Sequence, residues 1–223
     1  MCPPGVNTVN MSQTKARILN AASDRYLEQG LKGLSMRQIA AEVGISAAAI
    51  YRHFENKQAL TFALVGQAYE SFSAALRAST SAKPSSKRSA RPSEKEELLH
   101  ARQNLQRLAS AYVGFVIDQP QSYQLLFSST HHLGSGENAF ALPPHLQVAG
   151  REALWILVQA VEKAIEVGVI RKIDALEAAR ILWAQLHGVA ALYLAQRLGV
   201  SEEAYAMLSN TGFEATLRGL SPL

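Results

Sequence analysis

The chain has 223 residues, 48% of them hydrophobic and 18% charged, with a formal net charge of +4, and this length suffices for one or two compact domains. No run of about 18 apolar residues occurs, the first residues lack the basic and apolar regions of a signal peptide, and Cys2 is the single cysteine. We therefore expect a cytoplasmic protein without a transmembrane helix, a disulfide framework or a multi-cysteine metal site.

Apolar residues recur at helical spacing along most of the chain, and no segment shows the two-residue alternation of β-strands. The predicted helices cover residues 12–29, 35–43, 46–54, 56–77, 94–118, 123–127, 146–167, 175–198 and 201–219. Gly30 and Gly44 stand where the first two helices should end. Residues 1–11 are predicted to form a disordered tail, in which Met11 offers an alternative start. The sequence thus predicts an all-α protein.

The pattern divides the chain into four segments. Residues 12–58 form a three-helix block, residues 59–77 a connecting helix, and residues 94–220 a larger helical domain. Between them, residues 78–93 are rich in Ser, Ala and Pro and carry several basic residues without an acidic one. Such a composition predicts a flexible, solvated insert.

The most informative motif runs from Leu34 to Ser46. Ser35 and Gln38 have the spacing of a reciprocal capping box, and Leu34 and Ile39 have that of a hydrophobic staple. Two short helices joined by a turn at Gly44 are typical of a helix-turn-helix, whose second helix reads the major groove of DNA. The alternative is a helical hairpin that serves packing alone.

The following residues, AAAIYRHFENKQAL at 47–60, resemble the recognition helix and the next helix start of TetR-family regulators. The resemblance covers about residues 14–64 and implies an N-terminal DNA-binding domain. It implies contacts to the DNA backbone from Ser35, Arg37, Ser46, Tyr51, His53 and Lys57. It places Ala47, Ala48, Ala49 and Arg52 on or beside the base edges.

The residues of this segment support the same interpretation. Ile50 and Phe54 are expected in the core. Lys57 lies in the first turn of a helix, where the helix dipole disfavours a cation, and a DNA phosphate at this position would explain its placement. The alanines at 47–49 can offer only methyl contacts, so Arg37 and Arg52 are the candidates for guanine contacts. Packing roles for Tyr51 and His53, and a solvated surface charge at Arg52, remain alternatives.

The C-terminal half resembles the so-called WHG ligand-binding domain of one TetR subgroup over roughly residues 105–198. The resemblance rests on the segment from Tyr112 to Phe127 and on Trp183 with His187-Gly188. It implies an effector pocket, whose predicted walls are Tyr112, Phe115, Val116, Tyr123, Leu126, Phe127, Trp155, Val158, Trp183 and His187. The alternative for most of these side chains is an ordinary core position.

The helix predicted at 175–198 has a stripe of small residues at helical spacing, and the last helix has two further small residues. These positions are Ala184, Gly188, Ala191, Ala195, Gly212 and Ala215. Small residues allow close helix approach, so we predict a homodimer interface here. Because this helix is apolar nearly all round, burial within one protomer is the alternative.

These patterns together predict a homodimeric TetR-like transcriptional repressor that binds an inverted-repeat operator in double-stranded DNA and is released by a small-molecule effector. No cofactor, membrane association or enzymatic activity is expected, since the chain lacks common catalytic motifs. Two alternatives remain: an all-helical ligand-binding protein or enzyme with a vestigial helix-turn-helix, and a metal site at His131, His132 and His145.

Overall fold

The computed structural model describes residues 6–80, 92–127 and 142–222. Within these ranges it has nine α-helices and no strand, which confirms the all-α prediction. The helices are α1 (Val6–Gly33), α2 (Met36–Val43), α3 (Ala47–His53), α4 (Lys57–Thr80), α5 (Glu94–Asp118), α6 (Pro120–Phe127), α7 (Pro144–Glu166), α8 (Ala175–Leu194) and α9 (Glu202–Leu220). None of these described helices is long and apolar enough to cross a lipid bilayer.

Several observed helix boundaries differ from the predicted ones. Helix α4 continues to Thr80, into the first residues of the predicted flexible insert, and α6 and α7 begin three and two residues earlier than predicted, at Pro120 and Pro144. The largest differences concern α1 and α8. Helix α1 begins at Val6, within the stretch predicted to be disordered, and its helical geometry is interrupted at Gly30, where φ is 63° and ψ is −158°. Helix α8 ends at Leu194 and not at 198, because Ala195 caps it and Gln196 adopts the left-handed conformation, with φ 55°. Residues 81–91 of the predicted insert, and residues 128–141, lie outside the described residues.

The described residues fall into two units by their contacts, and these units do not follow chain order. The first unit contains α1–α3, α4 up to Ala68, α6 from Gln121 and the start of α7 up to Gln147; the second contains the rest of α4, α5, α7, and α8 and α9. In the first unit Leu146 lies 3.5 Å from the position that a Cβ on Gly66 would take. This packing of the start of α7 near α4, which is far from it in sequence, could not be predicted from composition.

The core of the first unit is built by α1, α2 and α3. Ile18, Ile39 and Ile50 are fully buried, as the periodicity of their helices requires. Two arginines of α1 then fix α2 from outside the core. The Arg17 guanidinium donates to the Val43 carbonyl oxygen over 2.6 Å, and Arg25 pairs with the Glu42 carboxylate over 2.7 Å.

The second unit is centred on α5, α8 and α9, which pack on one another. Leu182 of α8 and Phe213 and Leu217 of α9 are buried at their contacts. A polar link ties α5 to α9: Glu214 accepts hydrogen bonds from Arg102 over 2.6 Å and from Gln106 over 2.7 Å. This unit therefore has its own apolar core and its own polar clamp.

Candidate nucleic-acid interface

The turn between α2 and α3 has the local geometry that its sequence predicts. Gly44 adopts a left-handed conformation with φ 74°, and its N–H donates to the carbonyls of Ala40 and Ala41. Ser46 caps α3 by accepting a hydrogen bond from the Ala49 N–H over 3.1 Å. These bonds satisfy backbone groups that the helix ends leave open, and so they define the angle at which α3 leaves α2.

The predicted capping box of α2 is only half formed. The Ser35 hydroxyl accepts from the Gln38 N–H over 3.5 Å. The Gln38 side chain, which should reach back to Ser35, instead accepts a hydrogen bond from Arg25 of α1 over 3.1 Å. The reciprocal half of the prediction is therefore wrong, because a charged donor from another helix engages the amide oxygen.

Helix α3 has one buried side and one exposed side. Ile50 is fully buried and Phe54 is 4% exposed, whereas the Tyr51 ring is 51% exposed. Arg52, Ala47 and Ala48 are exposed beside Tyr51. The exposed side thus has aromatic, cationic and methyl groups.

One of the three alanines does not belong to this exposed side. Ala49 is 9% exposed and donates its N–H to the Ser46 cap, so its methyl group is turned into the core of the first unit. The prediction that Ala49 lies on or beside the base edges is therefore wrong. Any base contact from the alanines comes from Ala47 and Ala48.

Further polar groups lie on α2 and around the start of α4. Arg37 is exposed, whereas His53 and Lys57 are half-buried. Burial lowers the pKa of the Lys57 ammonium, which indicates a cation partly removed from water. Asn56 caps α4 through the Ala59 N–H over 2.8 Å, as the sequence predicts.

Two of the residues predicted to contact the DNA backbone, both serines, also cap helices through their hydroxyl groups. Ser35 and Ser46 each use an oxygen lone pair to accept a backbone N–H. A serine hydroxyl keeps one proton to donate, so capping and a phosphate contact are compatible.

The sequence interpretation missed a basic residue close to this site. The Lys15 ammonium of α1 lies 5.7 Å from the centre of the Phe54 ring, within the range of a cation–π contact. This approach could not be predicted, because the two residues are far apart in sequence.

We expect Lys57→Ala to weaken binding to specific and random DNA almost equally, because a phosphate contact carries no base information. Each lost contact should flatten the slope of log K against log salt by about 0.9, which is nearly two for a dimer. Fluorescence anisotropy at several salt concentrations measures this slope. An unchanged slope would remove Lys57 from the interface.

The residues predicted to line an effector pocket do not share one environment. In the second unit Tyr112, Phe115, Val116 and Val158 are buried, and Trp183 and His187 are half-buried. Tyr123, Leu126 and Phe127 belong to the first unit. Trp155 is 53% exposed on α7, unlike the buried members of the set, and its place in the wall of an effector pocket stays a prediction.

Tyr112 and His187 are at the centre of an aromatic cluster in the second unit. The Tyr112 hydroxyl lies 3.3 Å from His187 Nδ1, and the Phe72 ring centre is 5.6 Å from that of Tyr112 and 4.9 Å from that of Phe115. Trp183 packs edge-on to the His187 ring, with 6.1 Å between the ring centres. Burial lowers the pKa of the His187 imidazole, which favours its neutral form near pH 7.

The predicted dimer stripe is exposed on the second unit. Ala184, Gly188, Ala191 and Ala195 of α8 and Ala215 of α9 are all exposed. Larger apolar side chains are exposed on the same two helices, namely Ile181, Leu192, Met207 and Leu208. We call the exposed apolar residues of α8 and α9 the α8/α9 face.

Gly212 differs from the other small residues in its surroundings. It is half-buried, and a Cβ at this position would meet the side-chain amide of Gln185 on α8 of the same chain. Gly212 therefore faces α8 within the protomer, and its role at a dimer interface stays a prediction.

The described part of the chain shows no cluster of side chains for the alternative metal site. His145 is exposed, and no three histidine, cysteine or acidic side chains come together there to hold an ion. His131 and His132 lie outside the described residues.

Two family models match this chain. One, described as "Bacterial regulatory proteins, tetR family", matches residues 18–64, and another, "Tetracyclin repressor-like, C-terminal domain", matches residues 105–211. The first match contains α2, α3 and the start of α4, and the second contains most of α5 to α9.

Curated relatives match the N-terminal part. The transcriptional regulator UidR of Escherichia coli (strain K12) is 40% identical over 57 residues, which are 26% of this chain and 29% of UidR. The transcriptional repressor KstR2 of Rhodococcus jostii (strain RHA1) is 31% identical over 58 residues, 26% of this chain and 28% of KstR2. The chain thus matches less than a third of the length of these relatives.

Solved structures resemble almost the whole chain. A protein of unknown function from Rhodococcus sp. RHA1 has a TM-score of 0.74 and 26% identity, covering 94% of this chain and 96% of its own. The SmeT–triclosan complex has a TM-score of 0.68 and 21% identity, covering 94% and 92%. The latter likeness shows a shared fold.

Proposed function

Because this chain belongs to the TetR family of bacterial regulatory proteins, we propose that it is a transcriptional repressor, a homodimer that binds operator DNA and leaves it when a small molecule binds. The resemblance inferred from the sequence is thereby confirmed. The exposed side of α3, with Tyr51 and Arg52 above a buried Ile50, is the observation that carries the proposal. Repression, as opposed to activation, is supported by the similarity of the N-terminal part to KstR2, a transcriptional repressor.

The proposed DNA contacts follow from the exposure of each side chain. Tyr51 and Lys57, with the Ser46 hydroxyl, have polar groups that suit phosphate oxygens. Arg52 on α3 and Arg37 on α2 are exposed and have the bidentate donors that recognise guanine. The methyl groups of Ala47 and Ala48 suit contact with thymine.

The proposed dimer forms through the α8/α9 face. Ala184, Gly188 and Ala191 leave little side-chain bulk along α8, and Leu192 and Met207 add exposed apolar surface. Soluble monomers seldom expose such a patch, and a twofold axis would place it against its own copy. Two reading helices would then enter successive major grooves.

The proposed effector acts on the second unit. The Tyr112–His187 pair has donor and acceptor groups within a cluster of aromatic rings, an arrangement that suits an apolar ligand with a polar group. SmeT, which has a similar fold, forms a complex with triclosan, and this supports a small-molecule effector. Since the proposed target is chromosomal DNA, we expect the protein to act in the cytoplasm.

A binding measurement with DNA from upstream of the protein's own gene tests this function. We expect the purified protein to shift a labelled upstream fragment at concentrations that leave a random fragment of equal length unbound, at moderate salt. An all-helical ligand carrier or an enzyme would show no preference between the two fragments. That result would contradict the proposal.

We expect Arg37→Ala and Arg52→Ala each to relax base preference at particular operator positions. A lost bidentate guanine contact should cost about 1–3 kcal/mol of discrimination at its base pair. Because the alanines donate no hydrogen bonds, DNA shape should contribute much of the remaining specificity. Selection of bound sequences with each variant measures this. Strict preferences that survive the loss of both arginines would refute the assignment.

A further inference from the structure

A cleft opens in the second unit where three helix ends meet. It is bounded by the end of α5, the end of α8 and the start of α9, and its volume is about 580 Å³. This volume lies within the range of about 300–1,000 Å³ that is usual for small-molecule sites. Of the residues predicted to line a pocket, only Val116 contributes to it.

Five of the side chains that line the cleft are apolar. Val116, Ile117 and Pro120 line it from α5 and the first residue of α6, and Leu194 and Val200 line it from the end of α8 and the connection to α9. Val200 is 37% exposed, so the cleft is open to solvent at this point. An apolar body that enters the cleft would gain burial against these side chains.

The cleft also has an acidic and an aromatic side chain. Glu202 of α9 and Tyr193 of α8 line it, and the Tyr193 ring stacks on that of the buried Tyr205 with 4.2 Å between ring centres and an interplanar angle of 12°. The stacking holds the Tyr193 ring in place. Gln196 adds an amide, and its left-handed backbone, with φ 55°, turns the chain away from α8.

Two carboxylates act on the Tyr193 hydroxyl. Burial raises the pKa of Tyr193, and the negative charges of Glu202 and Glu203 raise it further. The Glu203 carboxylate accepts hydrogen bonds from the Ser201 side chain and from the backbone N–H of Glu203. These bonds lower the pKa of Glu203, so this carboxylate is ionised at neutral pH. Two carboxylates, those of Glu202 and Glu203, are therefore close enough to the Tyr193 hydroxyl to act on it electrostatically.

We propose that the cleft binds a small organic cation, an amine with an apolar body. The ammonium would pair with the Glu202 carboxylate beside the Tyr193 ring, whose face attracts cations, and the apolar body would lie against Val116, Ile117 and Leu194. Among the described residues that line the cleft, none is a lysine or an arginine. Binding needs no DNA, and only an effect of the amine on operator affinity rests on the proposed function.

Calorimetric titration of the full-length protein with octylammonium, 1-octanol and octanoate tests the site, since the three probes share one apolar chain. We expect octylammonium to bind most tightly and octanoate least. Glu202→Gln should lower the affinity for octylammonium by about tenfold, because one charge-assisted contact is lost. The same variant should leave 1-octanol binding unchanged.

Two further variants make the outcome decisive. Val200→Lys adds a positive charge at the exposed rim and should abolish octylammonium binding while the helical circular dichroism signal stays the same. Glu162→Gln removes an exposed carboxylate of α7, outside the cleft, and should leave the affinities for all three probes unchanged. Equal affinities for the three probes, no binding of any of them, or octylammonium binding that is insensitive to Glu202→Gln would overturn the proposal. Coverage of the cleft by a second copy of the chain would appear as no binding.

A second measurement separates this proposal from the proposed function. Octylammonium is added to the complex of the protein with its upstream DNA, and release is followed by anisotropy. Release that Glu202→Gln suppresses supports the cleft as an effector site. Binding in the calorimeter without release leaves the amine site standing and overturns its regulatory role, and a failure to bind any DNA overturns the proposed function alone.

Discussion

Replacement of Gly188 by leucine is expected to shift the protein from dimer to monomer and to lower its operator affinity sharply. Gly188 is exposed in the middle of α8, and a Cβ there would meet no atom of another described part of the chain within 4 Å. A leucine would therefore have room within the protomer but would overfill the proposed contact between two α8/α9 faces. Overpacking of this kind destabilises a packed contact by about 1–3 kcal/mol, and in a twofold dimer the substitution occurs twice.

Sedimentation and a DNA mobility shift measure this effect together. Gly114→Leu is the matched control, because Gly114 is also a mid-helix glycine with open space at its Cβ, but it lies on α5. The control should remain a dimer with normal operator binding. If Gly188→Leu behaved in the same way, the dimer interface would have to lie elsewhere on the protein.

Replacement of Ile50 by alanine should destabilise the first unit and abolish specific DNA binding. Ile50 is fully buried and anchors α3, which has only seven residues and cannot be stable by itself. Substitution of a buried isoleucine by alanine lowers the free energy of unfolding by about 2–5 kcal/mol. For a unit of ordinary stability this is a large share of the total.

Urea unfolding and DNA binding separate a packing role from a contact role. Tyr51→Ala, at the next and exposed position, should change stability by no more than about 0.5 kcal/mol but should weaken DNA binding. The two neighbouring variants should therefore differ in the property that they lose. A Tyr51→Ala protein that unfolds as easily as Ile50→Ala would place Tyr51 in the core.

The sequence predicted most reliably those features that depend on neighbouring residues. The caps at Ser46 and Asn56 and the left-handed turn at Gly44 were all expected, and each is formed by residues no more than four positions apart. Burial of Ile50 and Phe54 followed from helical periodicity. The matches to the two family models cover the same regions as the resemblance noted in the sequence.

The errors occurred where a distant part of the chain intervenes. The Gln38 side chain interacts with Arg25 of another helix instead of with Ser35. Helical spacing gives only the relative direction of side chains on one helix and not what covers them. The cleft beside Glu202 was missed for the same reason, because its walls come from the ends of three helices.

Selection of bound sequences from random DNA by the purified protein tests the central claim most directly. A twofold dimer with two reading helices requires an inverted repeat, with half-site centres separated by about 34 Å, one turn of DNA. We predict such a repeat, with preferred bases that weaken in the Arg37→Ala and Arg52→Ala variants. Absence of any enriched sequence, or enrichment of a single site without twofold symmetry, would contradict the account.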